Sequence, residues 1–200
     1  AAMAFGTETI PSVSKIFGPG NQYVTKAKQL ISQEGIAIDM PAGPSEVLVI
    51  ADSNATPAFV AADLLSQAEH GADSQVVLVT TSSELVASVA AEIKKQLVDL
   101  PRKEIAEQAL SNSLSLKFDS QTDILDFVNE FAPEHLIINT TDFEQVVDKI
   151  ANAGSIFLGQ YTPEAAGDYA SGTNHTLPTN GFAKAFGGVS LESFTKYITI

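Results

Sequence analysis

Apolar residues in this chain follow two spacings. From Val47 to Ala51 they are continuous, as in a parallel strand buried on both faces. On either side they recur at helical intervals. Tyr23, Val24, Ala27, Leu30 and Ile31 predict a helix over 22–32, and Ala61, Ala62, Leu64, Leu65 and Ala68 form the apolar face of one running from about Thr56 to His70. Gly71 sits where a C-terminal glycine stop belongs. The alternation continues with a strand over 76–79, a helix over 82–99 opened by Ser82 or Ser83, and a helix over 101–112 with Pro101 in its first turn. A strand over 114–118, a helix over 121–131, a strand over 135–138, a helix over 142–151 and a strand over 154–158 complete it. Strands alternating with helices predict an α/β fold: a mostly parallel sheet with helices on both faces, an incomplete Rossmann-like domain. In such sheets ligands are expected at the carboxyl ends of the strands.

The flanks read differently. Residues 1–9 look like the tail of a helix, closed by Gly6 and Pro11, and the apolar segment 13–17 leads into the turn Gly18-Pro19-Gly20-Asn21. A strand is expected over 36–40. Two prolines and a glycine in Pro41-Ala42-Gly43-Pro44-Ser45-Glu46 predict a hinge. This divides the chain into the end of a smaller α/β domain (1–44) and a main α/β domain (45–189). Residues 160–181, rich in glycine and proline but carrying aromatic and ionisable side chains, read as a long functional loop. Residues 190–198 read as a final helix with little to pack on, and both ends look cut from something longer.

Composition narrows the function. Eleven basic against 24 acidic residues give a net charge of −13, which argues against nucleic-acid partners. There is no cysteine, so any metal must be held by His, Asp, Glu, Gln or backbone oxygen. No apolar run reaches the length of a membrane span, and no signal-like segment is present, so no membrane partner is expected and a cytoplasmic location is the default.

Candidate chemistry gathers near the three histidines. On a helix, Gln67 and His70 share a face and could bind one metal ion; taken alone, a histidine at a helix C-terminus is better explained by the dipole, and the metal reading needs further ligands elsewhere. Asp168 is a candidate hard-oxygen ligand, or else a turn residue beside Gly167. Together the three offer two oxygens and one nitrogen, a set suited to zinc or another divalent first-row ion. Glu134 and His135 open a strand after Pro133. Adjacent residues on an extended chain point to opposite sides, so they read as two acid–base groups with separate roles, or as two solvated polar groups at a junction. His175 lies seven residues after Asp168. Gly18-Pro19-Gly20-Asn21-Gln22-Tyr23 begins like a dinucleotide fingerprint but lacks the last glycine.

Six ordered motifs carry a resemblance over essentially the whole chain: Gly18-Pro19-Gly20-Asn21; Ala42-Gly43-Pro44-Ser45-Glu46; the segment from Asp63 to His70; Ala132-Pro133-Glu134-His135-Leu136; the segment from Asn152 to Gly159; and Gly167-Asp168-Tyr169 with Asn174-His175-Thr176-Leu177-Pro178. The chain resembles the L-histidinol dehydrogenases. The resemblance implies a zinc-dependent oxidoreductase that takes L-histidinol through the aldehyde to L-histidine with two NAD⁺, at the end of histidine biosynthesis. It implies Gln67, His70 and Asp168 as zinc ligands that also meet the substrate, with a further histidine ligand from a partner subunit in a homodimer. Ser45, His135 and His175 match substrate contacts, and Asn21 matches a cofactor contact. His135 matches the residue that takes protons during the hydride transfers, and Glu134 the one that activates water. The family chain is considerably longer. Residues 1–44 then belong to the cofactor side and 190–200 begin a linker to a C-terminal dimerisation segment, so the 200 residues alone are expected to be inactive. Two other readings use the same residues: a metal-dependent hydrolase in which Glu134 activates water, and a folded, non-catalytic fragment.

Overall fold

The computed structural model describes residues 1–41 and 43–200; Ala42, in the expected hinge, lies outside the described residues. Two short strands, β1 (Lys15–Ile16) and β2 (Ala37–Ile38), pair in parallel with each other. Five more, β3 (Glu46–Ala51), β4 (Gln75–Thr80), β5 (Leu114–Lys117), β6 (His135–Asn139) and β7 (Ser155–Leu158), form a parallel sheet in the order β5-β4-β3-β6-β7. The helices are α1 (Ala2–Phe5), α2 (Gln22–Ser32), α3 (Pro57–Ala68), α4 (Ser83–Gln96), α5 (Lys103–Ser111), α6 (Gln121–Phe131), α7 (Phe143–Val147) and α8 (Ala165–Tyr169).

The central strand explains its own composition. Every residue of β3 is buried. Val47, Val49 and Ala51 face one way, into a core with Leu64 and Ala68 of α3, Leu85 and Val89 of α4, and Ala106 of α5. Leu48 and Ile50 face the other way, into a core with Ile124 and Val128 of α6 and Val146 of α7. A strand covered on both sides has no solvent-facing positions, so it needs no polar alternation. Each fully buried Val, Leu or Ile contributes roughly 1.5–3 kcal/mol. This is the predicted α/β architecture with helices on both faces.

Helix starts follow their caps. Ser82 Oγ accepts from Leu85 N at 3.2 Å, Ser120 Oγ accepts from Asp123 N at 3.2 Å, and Asn21 Oδ1 accepts from Tyr23 N and Val24 N. Several ends differ from expectation. Helix α5 starts at Lys103, so Pro101 precedes it instead of standing in its first turn. The expected helix 142–151 shortens to the single turn of α7.

Helix α3 stops at Ala68, and Glu69 caps it in a right-handed conformation. His70 N then bonds to Gln67 O at 3.2 Å, three residues back, tightening the chain into a turn. His70 therefore lies past the helix, and Gly71 is not in the left-handed conformation of a glycine stop.

The expected final helix is only a 3-10 turn, Leu191–Phe194. It does have something to pack on. Phe194 stacks on Phe17 with ring centres 4.2 Å apart, and Lys15 Nζ donates to Ser193 O at 2.8 Å. One aromatic anchor holds one turn, and Thr195 after it is extended.

Candidate active site

The candidate residues gather at the amino edge of the sheet, not at the carboxyl ends where ligands were expected. The reason is topological. Gln67 and His70 follow from the C-terminal end of α3, whereas Glu134 and His135 stand at the start of β6, in register with the start of β3. A helix that connects parallel strands runs back against them, so its last turn returns to the edge where strands begin. At the carboxyl ends lies a separate cavity of about 440 Å³, lined by residues that include Asp52, Asn139 and Thr141 and by none of the candidates.

The entry into β6 is shaped by close backbone contacts. Ala132, fully buried at the end of α6, adopts φ 54°, a left-handed conformation that redirects the chain into Pro133-Glu134-His135. Gly154 N donates to Pro133 O at 2.9 Å and Ser155 N to Glu134 O at 2.8 Å. A Cβ on Gly154 would lie 2.6 Å from Glu134 O, so only glycine lets the two segments approach.

Glu134 and His135 converge on one backbone unit. Glu46 N donates to Glu134 Oε2 at 2.9 Å, and Glu46 O accepts from His135 Nδ1 at 3.1 Å. Both side chains are buried, and Glu134 Oε2 stands 3.6 Å from His135 Nδ1. The two are thus nearer than strand alternation suggested, although no hydrogen bond joins them, because each is held by a different atom of Glu46. With Nδ1 protonated toward the carbonyl, Nε2 of the neutral ring carries a free lone pair.

The segment after β7 supplies the other wall. It runs along α3 from start to end: Thr56 Oγ1 meets Gln160 Oε1 at 3.2 Å, Phe59 packs edge-on to Tyr161, and Ser66 Oγ meets Glu164 Oε2 at 3.2 Å. The expected loop 160–181 therefore includes α8 and delivers Glu164 and Asp168 to His70. Gly167 makes this possible, since a Cβ there would sit 2.8 Å from the Phe157 ring, which itself packs against His135. Ligand atoms of His70, Glu164 and Asp168 all lie within 4.8 Å of one another. Gln67 is wholly buried with neither side-chain atom hydrogen-bonded, and Glu164 Oε1 is also unpaired. Orphaned buried polar atoms cost about 1–3 kcal/mol each; a metal ion would satisfy the Gln67 oxygen, whereas its amide nitrogen, a donor, needs an acceptor.

Ser45 borders two cavities. One, of about 540 Å³, also has Asn21 and His70 in its walls; the other, of about 240 Å³, has Glu134 and the exposed His175. The Oδ1 of Asn21 is engaged as the α2 cap, leaving its amide nitrogen to face a ligand.

Three acids at the site escaped the sequence reading. Glu46, Asp63 and Glu164 are buried. Their signals were present: an acid heading an apolar strand, an acid one turn before Gln67 on an apolar helix, and an acid four residues before Asp168. Among the described residues, the lysine ion pairs are Lys28–Asp39, Lys95–Glu92, Lys103–Glu107, Lys117–Asp119 and Lys184–Glu130. None reaches Glu46, Asp63, Glu134, Glu164 or Asp168.

Titration at the site follows first from burial and then from neighbouring charge. Burial pushes Glu134 up to about 8, with the charges of Glu46, Glu164 and Asp168 adding to it against the Glu46 N–H bond. Burial, then the charge of Glu164, pushes Asp63 up to about 7. Burial raises Glu46 against the bond from Asn180 N. Burial holds His135 below its ordinary value, opposed by the nearby carboxylates.

A carboxyl whose folded pKa is raised keeps its proton after the unfolded chain has released it, so stability falls as pH climbs toward the folded value. His135 acts in the opposite sense only below about pH 6.5. Between about pH 6.5 and 8 the metal-free chain is therefore expected to lose roughly 5 °C or more in melting temperature. Melts in chelator check this, with Glu134→Gln flattening the slope; a melting temperature that rises with pH contradicts it.

A histidinol dehydrogenase family model matches residues 1–200. Histidinol dehydrogenase of Bacteroides thetaiotaomicron is 62% identical over 199 residues, covering all of this chain and 46% of the relative. The chain spans about half the length of the curated relatives it matches. The solved histidinol dehydrogenase of Elizabethkingia anophelis superposes with a TM-score of 0.93 at 61% identity, over 96% of this chain and 44% of that one. An acetylating aldehyde dehydrogenase from Geobacillus thermoglucosidasius, at 14% identity and a TM-score of 0.57 over 90% of this chain and 54% of that one, shares the fold alone.

Proposed function

The chain belongs to the histidinol dehydrogenase family, and we propose that it carries the metal and acid–base face of an enzyme oxidising L-histidinol to L-histidine through the aldehyde, with two NAD⁺ and one zinc. The observation that carries this reading is the set of buried carboxylates that, among the described residues, pair with no lysine or arginine, together with the buried, unpaired Gln67. Such a cluster calls for a divalent cation and a cationic substrate. Gln67, His70 and Asp168 are proposed to hold zinc, whose chemistry there is to orient nitrogen donors and stabilise oxygen charge.

The chain's own groups divide the proton work. His135 Nε2 takes the proton of the substrate hydroxyl while Nδ1 stays anchored on Glu46 O. Glu134 takes the proton of the water that adds to the aldehyde; it is separately anchored on Glu46 N, so the two bases do not exchange roles. Bound NAD⁺ would supply the hydride acceptor for each oxidation, while the proton of each goes to a base of this chain. Ser45 and His175 are assigned to the substrate, Asn21 and residues 1–44 to the cofactor side, and residues 190–200 to the homodimer linker.

The test is histidinol-dependent NADH formation by the full-length protein, with the 200-residue chain alone in parallel. Two NADH per histidinol from the full-length protein, and none from the shorter chain, is the expected result. Ester or amide cleavage without NAD⁺, and no NADH, overturns the reading in favour of a hydrolase.

A further inference from the structure

We infer that Glu164 is a substrate-binding residue, its Oε1 accepting an N–H from an amine on the carbon next to the one that is oxidised. This rests on the reading of the site as an alcohol-oxidising centre and adds a residue that the motif matches did not supply.

Glu164 is 1% exposed, and its two oxygens are unequally served. Oε2 faces Ser66 Oγ at 3.2 Å, but that hydroxyl also stands 2.8 Å from Asp63 O and has one proton for both. Oε1 has no hydrogen-bond partner at all. It lies 3.8 Å from His135 Nε2, beyond hydrogen-bond length. Because His135 Nδ1 donates to Glu46 O, Nε2 of the neutral ring is itself an acceptor. Two buried acceptors thus face each other with no hydrogen between them.

What satisfies both is a ligand bringing two donor hydrogens on neighbouring atoms. An O–H directed at Nε2 and an N–H directed at Oε1, on adjacent carbons in a gauche relation, meet that requirement. This describes a vicinal amino alcohol. One oxygen of the same carboxylate lies within 4.8 Å of ligand atoms of His70 and Asp168, so Glu164 stands next to two of the proposed metal donors. A simple alcohol leaves Oε1 unpaired, and a buried unpaired acceptor discriminates strongly between ligands.

The experiment is a double-mutant cycle in the zinc-loaded full-length protein. Calorimetry measures binding of histidinol and of its analogue without the amine, 3-(imidazol-4-yl)propan-1-ol, to wild type, Glu164→Ala and Glu164→Gln. Histidinol affinity is expected to fall at least tenfold in Glu164→Ala, while the analogue changes less than threefold. Glu164→Gln, close in shape, guards against misfolding and is expected to lose at least threefold for histidinol alone. Zinc content stays unchanged in both. Equal losses for the two ligands, no loss for either, or loss of zinc overturns the inference. If wild type neither binds histidinol nor makes NADH, the proposed function fails; if it does both and the cycle shows no coupling, only Glu164's role fails.

Discussion

Replacing His135 by asparagine is expected to lower histidinol turnover by the full-length protein about 10²–10⁴-fold, the span of a lost general base. Asparagine isolates the effect. Its amide N–H can still donate to Glu46 O, where His135 Nδ1 donates at 3.1 Å, so the entry into β6 keeps its anchor. What disappears is the free lone pair on the far side of the ring, next to Glu164. The companion substitution, Glu134→Gln, separates the two oxidations. It retains an oxygen for Glu46 N at the start of β3 but cannot take a proton from water. Histidinol is then expected to yield one NADH and accumulate aldehyde. Steady-state rates and the NADH-to-histidine ratio measure both outcomes. Turnover within threefold of wild type in His135→Asn removes the residue from the mechanism.

How much of this was legible in the sequence depends on whether the deciding contact is local. Continuous apolar runs located β3, β4 and β6, because a strand covered on both faces allows nothing else. The helix over 121–131 came out residue for residue, since Ser120 caps it and Ala132 stops it within the segment itself. Elements fixed by distant partners were harder. The last turn of the chain owes its position to Phe17, far away in sequence. His70 left the helix through a tightened turn that periodicity does not encode.

The site shows the same divide. His70, His135 and Asp168 could be suspected from residue type and company, but the edge of the sheet they occupy could not be read from a rule about carboxyl ends. The answer lay in which end of each element carried them: the end of α3 and the start of β6. Glu46, Asp63 and Glu164 were passed over because an isolated acid in sequence is usually solvated. Only the packing shows them buried and, among the described residues, unpaired with any lysine or arginine. Glu164 in particular is placed by a chain segment whose course along α3 depends on three successive side-chain contacts.

Zinc affinity is where that unpaired charge is expected to show most. The full-length protein should bind one zinc per chain, with His70→Ala and Asp168→Ala each weakening it by about 100-fold or more, beyond the 10–100-fold typical of a residue that only orients a ligand. The histidine control makes the test specific. His175 is also exposed and also lies in the loop region, but it faces the cavity of Glu134 and Ser45 and not the His70, Glu164 and Asp168 group. His175→Ala is therefore expected to leave zinc affinity within threefold of wild type while raising the KM for histidinol. Calorimetric titration of the apo-proteins decides it. Loss of zinc with His175→Ala and not with His70→Ala would place the metal in the other cavity. The direction of the stability change provides a second reading of the same physics. If zinc neutralises the buried carboxylates, saturating zinc should abolish the loss of melting temperature between pH 6.5 and 8, because Asp63 and Glu134, both buried and both near the charge of Glu164, would then ionise with a cation close by.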